Sequence, residues 1–588
     1  TTMDDSLLAR VMFILVTKRQ IGETSDIDKI ESKIREECRD WGERFKEACD
    51  QYFDDQEFCS FVSRHYEDAF PVEYQERVKP KHALYDVTKI EEAFENKGGM
   101  SFDLYRSTGQ SGKQIQLKIY SVNSLIPLSD ILPILENMGL KVFGERPYEV
   151  RVRADKKPVW INDFLMEALS TDQRIDLKEV KPIFEEAVTK IWFGAMENDG
   201  LNKLILTSEM NWREVTILRS YIRYLHQIRY VFSLRYMEQA ATENPVISRL
   251  IVNYFKAAHD PKDSGKNQAK AEEIYKELLS AFDRVESLDH DRILRRIAET
   301  IRSTLRTNFF KRDDSGEEKS YLSLKIDSMA IKDLPSPRPY REIFVYSPWM
   351  EGIHLRGDKI ARGGIRWSDR QEDFRTEVLG LMKAQLVKNS IIVPMGAKGG
   401  FIVKKNMKNA RKDQIQKEGI ECYKTLVSGM LDITDNIVND KVVPPRDVVR
   451  HDGDDTYLVV AADKGTATFS DIANQISKNY NFWMDDAFAS GGGAGYDHKK
   501  MGITAKGAWE SVKRHFQEIN HDTQSQDFQV VGVGDMGGDV FGNGMLLSKH
   551  IKLVAAFNHR HIFIDQVPVP AKRWEERQRL FDGALGWD

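Results

Sequence analysis

Cysteine is scarce in this sequence, and the few cysteines are not spaced for metal binding. The 588 residues include only Cys38, Cys49, Cys59 and Cys422, and none of them forms a C-x-x-C pair. The spacing therefore argues against a cysteine-based zinc site. So few, scattered cysteines are typical of a large protein in a reducing compartment. We expect a cytoplasmic protein without a metal site.

Long apolar runs and an excess of one charge are also missing. No apolar run reaches the roughly 18 residues that a membrane-spanning helix needs, and the apolar stretch 7–16 is much shorter. The net charge is −5, from 86 basic and 91 acidic residues. The composition therefore predicts binding neither to nucleic acid nor to a membrane. At 588 residues, we expect a globular protein of several domains.

The N-terminal third has an α+β pattern. Residues 1–110 begin with a strand-like stretch at 11–16, and residues 111–172 repeat the strand-and-helix arrangement. The elements predicted in the second segment are a strand at 114–121, a helix from Ser129 as N-cap to Met138, a stop at Gly139, and strands at 142–143 and 148–153. This order resembles ACT-type regulatory domains, which often bind amino acids. Ordinary α+β packing without a ligand explains the pattern as well.

Residues 173–334 are predicted to form a mainly helical region. Leu218, Ile222 and Leu225 recur at intervals of three and four, which gives one apolar stripe. A proline-rich linker at 335–339 then leads into residues 340–500, where strands and helices alternate as in an α/β domain. We find no pattern of catalytic side chains before about residue 340.

Three cations between residues 362 and 405 differ from ordinary surface charges. Arg362 precedes two glycines, and Lys398 lies in the sequence G-A-K-G-G. Lys388 shares the apolar side of a helix predicted over 372–390, although a lysine at a helix end often extends into solvent. Lys398 does not fit the phosphate-loop pattern, because glycine follows it where Ser or Thr is required. The segment predicts a pocket for a small anionic substrate, where burial and like charge would lower a lysine pKa.

Acidic residues follow the next apolar strand. The strand at 458–462 ends at Asp463, beside a glycine, where α/β domains present functional carboxylates. Asp447 is an alternative. His451 and the neighbouring acids Asp452, Asp454 and Asp455 could suggest a metal, but we expect adjacent acids in a loop to be solvated.

A second α/β pattern begins near residue 501. Val530 and Val531 lead into G-V-G-D-M-G-G, followed by a helix predicted at 540–550 and a strand at 551–557. This order predicts a dinucleotide site, in which Gly532, Gly534 and Gly537 let the backbone approach a pyrophosphate. Asn558 occupies the position where an acid usually binds the ribose, and Arg560 lies close by.

The motifs from residue 340 to 570 resemble those of the glutamate dehydrogenase superfamily, and most closely its large bacterial NAD-specific members. The resemblance rests on R-G-G-I-R at 362–366, Lys388, the segment 394–400, D-K-G-T at 463–466, I-T-A-K-G at 503–507 and the segment 532–545. It implies an α/β catalytic domain at 340–500 and the start of a Rossmann-type dinucleotide-binding domain at 501–588. The ACT-like repeats and the helical region would then form a long regulatory extension.

The resemblance also implies roles for single residues. Lys398 would be the catalytic lysine and Asp463 the carboxylate that transfers protons. Lys388 would bind the substrate α-carboxylate, while Arg362, beside Gly364, would bind the side-chain carboxylate. For the cofactor, the implied contacts are Thr504 beside the nicotinamide, Gly532, Gly534 and Gly537 at the pyrophosphate, and Asn558 at the ribose.

The implied function is reversible, NAD-dependent oxidative deamination of L-glutamate to 2-oxoglutarate and ammonia in amino-acid catabolism. We expect NAD in preference to NADP, a homo-oligomer, and an amino-acid effector at the ACT-like repeats. Two alternatives are a dehydrogenase for another amino acid such as leucine and an amino-acid-binding module with an inactive catalytic region. Arg362 argues against leucine, because its charge would be left unpaired beside an apolar side chain.

The end of the chain departs from the pattern of a complete enzyme. A dinucleotide-binding domain needs about six strands, and residues 532–588 have room for about two. We expect a fragment of a longer polypeptide that has little dehydrogenase activity alone.

Overall fold

A computed structural model describes most of the chain. The described residues are 28–29, 31–32, 34, 40–106, 114–152, 158–169, 175–262, 264–332, 334–388, 393–466, 468–489, 501–533, 539–557 and 561–583. The strand predicted at 11–16 lies outside them, as do Gly534, Gly537 and Asn558. The chain divides into two compact units, residues 1–215 and 216–588.

The first unit combines helices with one antiparallel sheet. Its helices are α1 (Trp41–Tyr52), α2 (Gln56–Tyr66), α3 (Val72–Gln75), α4 (Pro80–Glu95), α5 (Leu128–Asn137), α6 (Leu177–Trp192) and α7 (Leu204–Thr207), with a 3₁₀ turn at Gly200–Lys203. Its strands are β1 (Met100–Tyr105), β2 (Gln114–Val122), β3 (Leu140–Val150) and β4 (Val159–Ala168). Helix α8 (Trp212–Gln227) crosses the division between the units.

The sheet of the first unit has the order β1-β2-β4-β3, so β1 and β3 are its edge strands. Strand β1 pairs with β2 and therefore joins the two segments that the sequence analysis divides at residue 110. Aromatic and aliphatic side chains from α1–α4 form a core with the sheet, including Phe45, Tyr66 and Ile161. The burial of these side chains holds the helices against the strands.

Three details of this region can be compared with the prediction, and two of them differ. Helix α5 begins at Leu128, so Ser129 lies inside it; the predicted Ser129 N-cap is wrong, since Pro127 occupies that position. Gly139 has φ +83°, as expected of a glycine that ends a helix. The two strands predicted at 142–143 and 148–153 form the single strand β3, which has a register shift between Val142 and Gly144.

The second unit contains the remaining elements. Its helices are α9 (Leu234–Glu243), α10 (Pro245–His259), α11 (Ser264–Phe282), α12 (Leu288–Arg302), α13 (Phe374–Lys388), α14 (Lys412–Leu431), α15 (Ser470–Asn479), α16 (Ile503–Gln517) and α17 (Pro570–Asp582), with a 3₁₀ turn at Asp485–Ala487. Its strands are β5 (Thr304–Thr307), β6 (Leu322–Ile326), β7 (Arg341–Tyr346), β8 (Met350–Arg356), β9 (Ala361–Trp367), β10 (Met395–Val403), β11 (Asn436–Val438), β12 (Lys441–Val443), β13 (Val459–Ala462), β14 (Phe528–Gly532), β15 (Ile551–Phe557) and β16 (Ile562–Ile564).

Seven strands form a mixed sheet in the order β13-β9-β10-β8-β7-β6-β5. Strand β9 runs parallel to both of its neighbours, β10 and β13, and the remaining pairs are antiparallel. Helices α14 and α15 pack on the sheet through a core that includes Leu426, Met430 and Ala473. Parallel strands present their carboxyl ends at one edge, which is where α/β sheets place ligands.

A smaller sheet, β14-β15-β16, lies near the C-terminus. Strand β15 has the bounds expected from the sequence and runs parallel to β14. The helix predicted at 540–550 is wrong in length, because a π-helical segment at Asp539–Asn543 gives way to turns. Two parallel strands are too few to establish a dinucleotide-binding domain, which remains a prediction. None of the described helices combines the length and the apolar character that crossing a membrane requires.

Candidate active site

Glycines bring β9 and β10 together at the site. A Cβ atom on Gly363 would lie 1.6 Å from the carbonyl oxygen of Ala397, so only glycine fits there. The strands pair in parallel, with Gly399 opposite Ile365. This register places Lys398 beside the R-G-G-I-R strand.

The turn after β13 fixes the position of Asp463. The Asp463 N–H donates to Thr466 Oγ1 over 3.1 Å, and Thr466 Oγ1 donates to the Ile365 carbonyl over 2.6 Å. Gly465 follows with φ +83°, a conformation that favours glycine. The D-K-G-T segment is therefore a turn anchored to the middle of β9.

Lys398 and Asp463 form an ion pair at the edge of the sheet. Lys398 Nζ donates to Asp463 Oδ2 over 2.7 Å, and both side chains are 15% exposed. Each is thus mostly shielded but open to a small molecule. A lysine amine and a carboxylate in contact can exchange protons with a substrate that lies against both.

Arg366 joins this pair to helix α13. Its Nη2 lies 3.2 Å from Asp463 Oδ1, and its Nη1 lies 2.9 Å from Glu377 Oε1. Glu377 also accepts from Ser368 Oγ over 2.6 Å. Asp463 is therefore held from two sides, by Lys398 on one oxygen and Arg366 on the other.

These contacts set the charge of Asp463. Burial alone raises the pKa of this carboxyl, but hydrogen bonds from Lys398 and from the Lys464 N–H, with the charges of Lys398 and Arg366, outweigh it. The pKa of Asp463 is therefore below its ordinary value, and the carboxylate stays ionised at neutral pH.

The other residues predicted to bind substrate lie on the same strand or on α13. Arg362 is exposed on β9, and Gly364 is buried where a Cβ would lie 2.9 Å from the Ala462 carbonyl oxygen. Lys388 is the last residue of α13 and is exposed, and residues 389–392 lie outside the described part. The structure thus brings Lys398 and Asp463 into contact and leaves Arg362 and Lys388 exposed.

Two of the predicted cofactor residues can be described. Thr504 is exposed in the first turn of α16, whose N-cap residue Gly502 makes no side-chain hydrogen bond to the helix. Gly532 ends β14, and a Cβ there would lie 1.7 Å from Phe541 Cζ. Gly532 thus makes room for a phenylalanine ring. Thr504 is therefore accessible to a ligand, whereas the Cβ side of Gly532 is occupied by the Phe541 ring.

The acidic cluster at 452–455 is not solvated as expected. Asp455 accepts from Lys325 and from Arg356, each over 2.6 Å, and Asp452 accepts from Arg306 Nε over 2.6 Å. Only Asp454 is mainly exposed. No described group of three or more His, Cys, Asp or Glu side chains could hold a metal ion. The cluster is a buried set of ion pairs.

Sequence reasoning missed Arg366 and Glu377. The signal for Arg366 was present, because Arg362, Gly364 and Arg366 alternate along β9 and so share one face of the sheet. Glu377 lies on α13, and its contact with Arg366 depends on how helix and strand pack, which spacing does not reveal.

Comparison with known proteins supports the reading of these motifs. Residues 277–588 match the family described as bacterial NAD-glutamate dehydrogenase, catalytic domain. Further matches are the glutamate dehydrogenase ACT3 domain at 99–180, helical motif 3 at 196–261 and helical motif 2 at 62–93.

Curated relatives match along nearly the whole chain. It is 50% identical to the NAD-specific glutamate dehydrogenase of Halomonas elongata, over 99% of this chain and 36% of that protein. It is 47% identical to the enzyme of that name from Pseudomonas aeruginosa, with the same coverage, and 48% identical to the one from Mycobacterium tuberculosis, over 88% of this chain and 32% of that protein. The chain spans about a third of the length of these relatives.

Solved structures resemble the chain much less. The hetero-hexameric glutamate dehydrogenase from Thermus thermophilus is 14% identical with a TM-score of 0.27, over 46% of this chain and 57% of that chain, which is too slight a likeness to support an inference. The match of the catalytic-domain family to residues 277–588 covers more than half of the chain. The chain therefore belongs to the bacterial NAD-glutamate dehydrogenase family and joins its catalytic domain to ACT3 and helical-motif domains.

Proposed function

We propose that this chain carries the catalytic site of an NAD-dependent glutamate dehydrogenase, which converts L-glutamate reversibly into 2-oxoglutarate and ammonia. The observation that carries the proposal is the contact of Lys398 with Asp463 at the edge of the sheet, 2.7 Å between Nζ and Oδ2. The relatives named NAD-specific glutamate dehydrogenase are 47–50% identical over nearly all of the chain, which supports the same conclusion.

Lys398 and Asp463 divide the proton transfers between them. Oxidation at Cα leaves an iminium, which water must attack, and Lys398 acts as the base that takes a proton from that water. Asp463, ionised at neutral pH, accepts a proton from the substrate nitrogen and returns it to the departing ammonia. The ion pair lets the two side chains exchange the proton between these steps.

Two cations select the substrate. Arg362 binds the side-chain carboxylate of glutamate and Lys388 its α-carboxylate, while Gly364 lets the end of β13, and with it Asp463, lie close to β9. Arginine suits a carboxylate, since its planar guanidinium can donate two parallel hydrogen bonds. Both cations are exposed in the structure, so each is free to take a carboxylate.

The cofactor is NAD in preference to NADP, as the names of the relatives suggest. NAD when bound supplies the acceptor for the hydride from Cα. The residues that would hold it are Thr504 and Gly532, together with Gly534, Gly537 and Asn558, which lie outside the described residues. We further propose that residues 501–588 start a Rossmann-type domain, that the enzyme is a cytoplasmic homo-oligomer of amino-acid catabolism, and that the ACT region binds an amino-acid effector.

The test exchanges Arg362 for leucine. Turnover of glutamate is compared with turnover of norvaline and leucine, with NAD and with NADP. The measurements use the 588-residue chain and a longer polypeptide that contains it and has the length of the relatives. Arg362→Leu should reduce kcat/KM for glutamate by at least about ten-fold, as expected for a lost charged hydrogen bond, and leave the apolar substrates less affected.

Arg370→Leu is the matched control, because Arg370 is an exposed arginine that pairs with Asp373 beyond the strand. An equal loss for glutamate and norvaline in Arg362→Leu would contradict the assigned role. A wild-type polypeptide of the relatives' length that turns over none of these substrates would overturn the proposed function.

A further inference from the structure

The first unit contains a cavity that the catalytic proposal does not use. It measures about 560 Å³ and lies between helices α4 and α6 at the outer edge of strand β1. Small-molecule sites in proteins commonly have volumes of about 300–1,000 Å³. Its lining includes Asn96, Lys97, Phe102, Glu185, Thr189 and Phe193.

Backbone groups of β1 point into this cavity. Strand β1 is an edge strand, and the Val122 N–H donates to the Gly99 carbonyl. The backbone N–H and carbonyl groups of residues 99, 101 and 103 therefore point toward β2. In an antiparallel pair the backbone N–H and carbonyl groups of the alternate residues, here 100, 102 and 104, point away from the partner strand. The outward groups of Met100 and Leu104 are satisfied by side chains: Asn96 Nδ2 donates to the Met100 carbonyl over 2.9 Å, and the Leu104 N–H donates to Glu185 Oε1 over 2.7 Å.

Phe102 lies between these two satisfied positions. No described residue makes a hydrogen bond to its outward N–H or carbonyl, although Asn96 and Glu185 bind the outward groups on either side of it. Unpaired peptide groups beside a cavity are costly unless a ligand or water binds them. The cavity thus offers one donor and one acceptor at the spacing of a single residue.

Charged side chains flank that peptide. Glu185 is 18% exposed, and its Oε1 accepts from the Leu104 N–H and lies 3.7 Å from Lys181 Nζ, which leaves Oε2 for a ligand. Burial raises the pKa of Glu185, against the hydrogen bond from Leu104 and the charges of Lys181 and Lys89. A bound cation would therefore stabilise its ionised form. On the other side, Lys97 is exposed and supplies a positive charge.

We propose that this cavity binds a free α-amino acid along the edge of β1. The ligand's ammonium group would lie between Glu185 and the Phe102 carbonyl, and its carboxylate between the Phe102 N–H and Lys97. The ligand side chain would lie against the Phe193 ring. An α-amino acid matches the site because its ammonium and carboxylate groups are attached to one carbon. The ammonium can donate to the Phe102 carbonyl while the carboxylate accepts from the Phe102 N–H.

The proposal gives a location to the effector of the proposed regulatory region, and it rests on the proposed function only for any effect on turnover. The test therefore measures binding directly. Isothermal titration of the 588-residue chain, without NAD, uses L-alanine, L-leucine, L-aspartate and L-lysine as probes. At least one should bind with a stoichiometry of one and keep its affinity in Lys398→Ala, which separates this site from the catalytic one.

Glu185→Gln keeps an acceptor for the Leu104 N–H but removes the charge, and it should weaken binding by about ten-fold or more. Glu179→Gln, an exposed glutamate at the start of α6, is the matched control and should have no effect. Thr189→Trp should fill the cavity and abolish binding while circular dichroism stays native. The methyl ester and the N-acetyl derivative of the bound amino acid should each bind at least about ten-fold more weakly.

Three results would overturn the proposal. They are the absence of binding by all four probes at millimolar concentration, unchanged affinity in both Glu185→Gln and Thr189→Trp, and equal binding of the blocked derivatives. A failure of catalysis in the preceding experiment would leave these results unaffected.

Discussion

At the scale of single residues, the site depends on how Asp463 is held. One oxygen accepts from Lys398, and the other accepts from the Lys464 N–H and from Arg366. A carboxylate fixed at both oxygens keeps its orientation while it exchanges protons. Arg366 does not need to touch substrate to matter, since it acts through Asp463.

Replacement of Lys398 should remove the base of the proposed reaction. In Lys398→Ala we expect kcat to fall by about 10²–10⁴, the usual contribution of a general base, while the fold is retained. Steady-state rates in a polypeptide of the relatives' length measure this. Lys405→Ala, which removes an exposed lysine paired with Glu418, should leave kcat unchanged. Full activity in Lys398→Ala would contradict the assignment.

Replacement of Arg366 should change the pH dependence of the reaction. The charge of Arg366 lowers the pKa of Asp463, so its loss in Arg366→Gln raises that pKa and Asp463 becomes protonated at a higher pH. The acid limb of the profile of kcat/KM should therefore move to higher pH. Arg370→Gln serves as the control, and an acid limb that does not move in Arg366→Gln would show that Arg366 has only a structural part.

Much of this site could be predicted from residue types, and some could not. Glycines around Lys398 and an apolar strand ending at Asp463 are visible in the sequence, and the structure brings the two residues together. The exposed position of Lys388 could not be read from its helical spacing, because the apolar side of α13 is buried at Phe374 and Val378 and becomes exposed toward the C-terminus. The spacing of residues shows which face of a helix is apolar, but not at which residue the packing of other elements against that face ends.

At the scale of elements, the glycines of β9 decide how the sheet is built. Gly363 lets β9 approach the backbone of β10, and Gly364 does the same toward the end of β13. Strand positions of this kind usually disfavour glycine, which has no side chain to pack. Here the absent side chains are what allow three strands to converge.

A side chain at position 363 should therefore separate the strands. The Cβ of Gly363→Ala would lie 1.6 Å from the Ala397 carbonyl oxygen, so we expect a loss of at least about 1–3 kcal/mol in the free energy of unfolding. Gly380→Ala is the control: position 380 lies in α13 with nothing within 4 Å of the added Cβ, and alanine there should stabilise the helix by up to about 1 kcal/mol. Urea unfolding followed by tryptophan fluorescence distinguishes the two, and equal stability of both variants would refute the argument.

Elements with a strong local pattern were the easiest to predict. The apolar strands at 458–462 and 551–557 lie where the sequence places them, within a residue. The helix predicted at 540–550 failed since its segment follows glycines and contains Gly542 and Gly544, which weaken a helix. Glycine is compatible with both a turn and a nucleotide loop, and the sequence alone does not separate them.

At the scale of the whole molecule, buried ion pairs join distant parts of the second unit. Arg306 of β5, Lys325 of β6 and Arg356 of β8 all contact acids from the segment 432–455. Each of these three cations lies within 3.0 Å of a carboxylate oxygen. Such pairs add less to stability than their number suggests, but the loss of one partner is costly.

Asp455→Asn should destabilise the second unit. It leaves Lys325 and Arg356 without a carboxylate they share, which costs about 3–5 kcal/mol for a buried pair. Asp454→Asn, at a mainly exposed acid in the same loop, should cost less than about 1 kcal/mol. Urea unfolding of the two variants measures the difference, and equal midpoints would show that the buried contacts do not stabilise the fold.

The effect of Asp455 has a definite pH dependence. Burial raises the pKa of Asp455, but the charges and hydrogen bonds of Arg356 and Lys325 outweigh this and hold it far below its usual range. Its contribution to stability is therefore present above the ordinary aspartate pKa of about 3.9 and is lost only as pH falls toward the lower folded value. The difference between wild type and Asp455→Asn should stay constant from neutral pH down to about pH 5.

Strands β10 and β13 both pair with β9. The distance between Lys398 and Asp463 therefore does not depend on how many residues connect β10 to β13. Gly399 and Ala462 both stand opposite Ile365, so Lys398 and Asp463 take their positions from one residue of a third strand. Insertions or deletions in the loops between residues 404 and 458 can therefore accumulate without changing the distance between the two side chains, provided that α14 and the buried ion pairs of Asp435 and Asp455 stay in place. A single-residue deletion inside β9 would instead shift both partners at once, so variation in length among homologues should be concentrated in the former segment and absent from the latter.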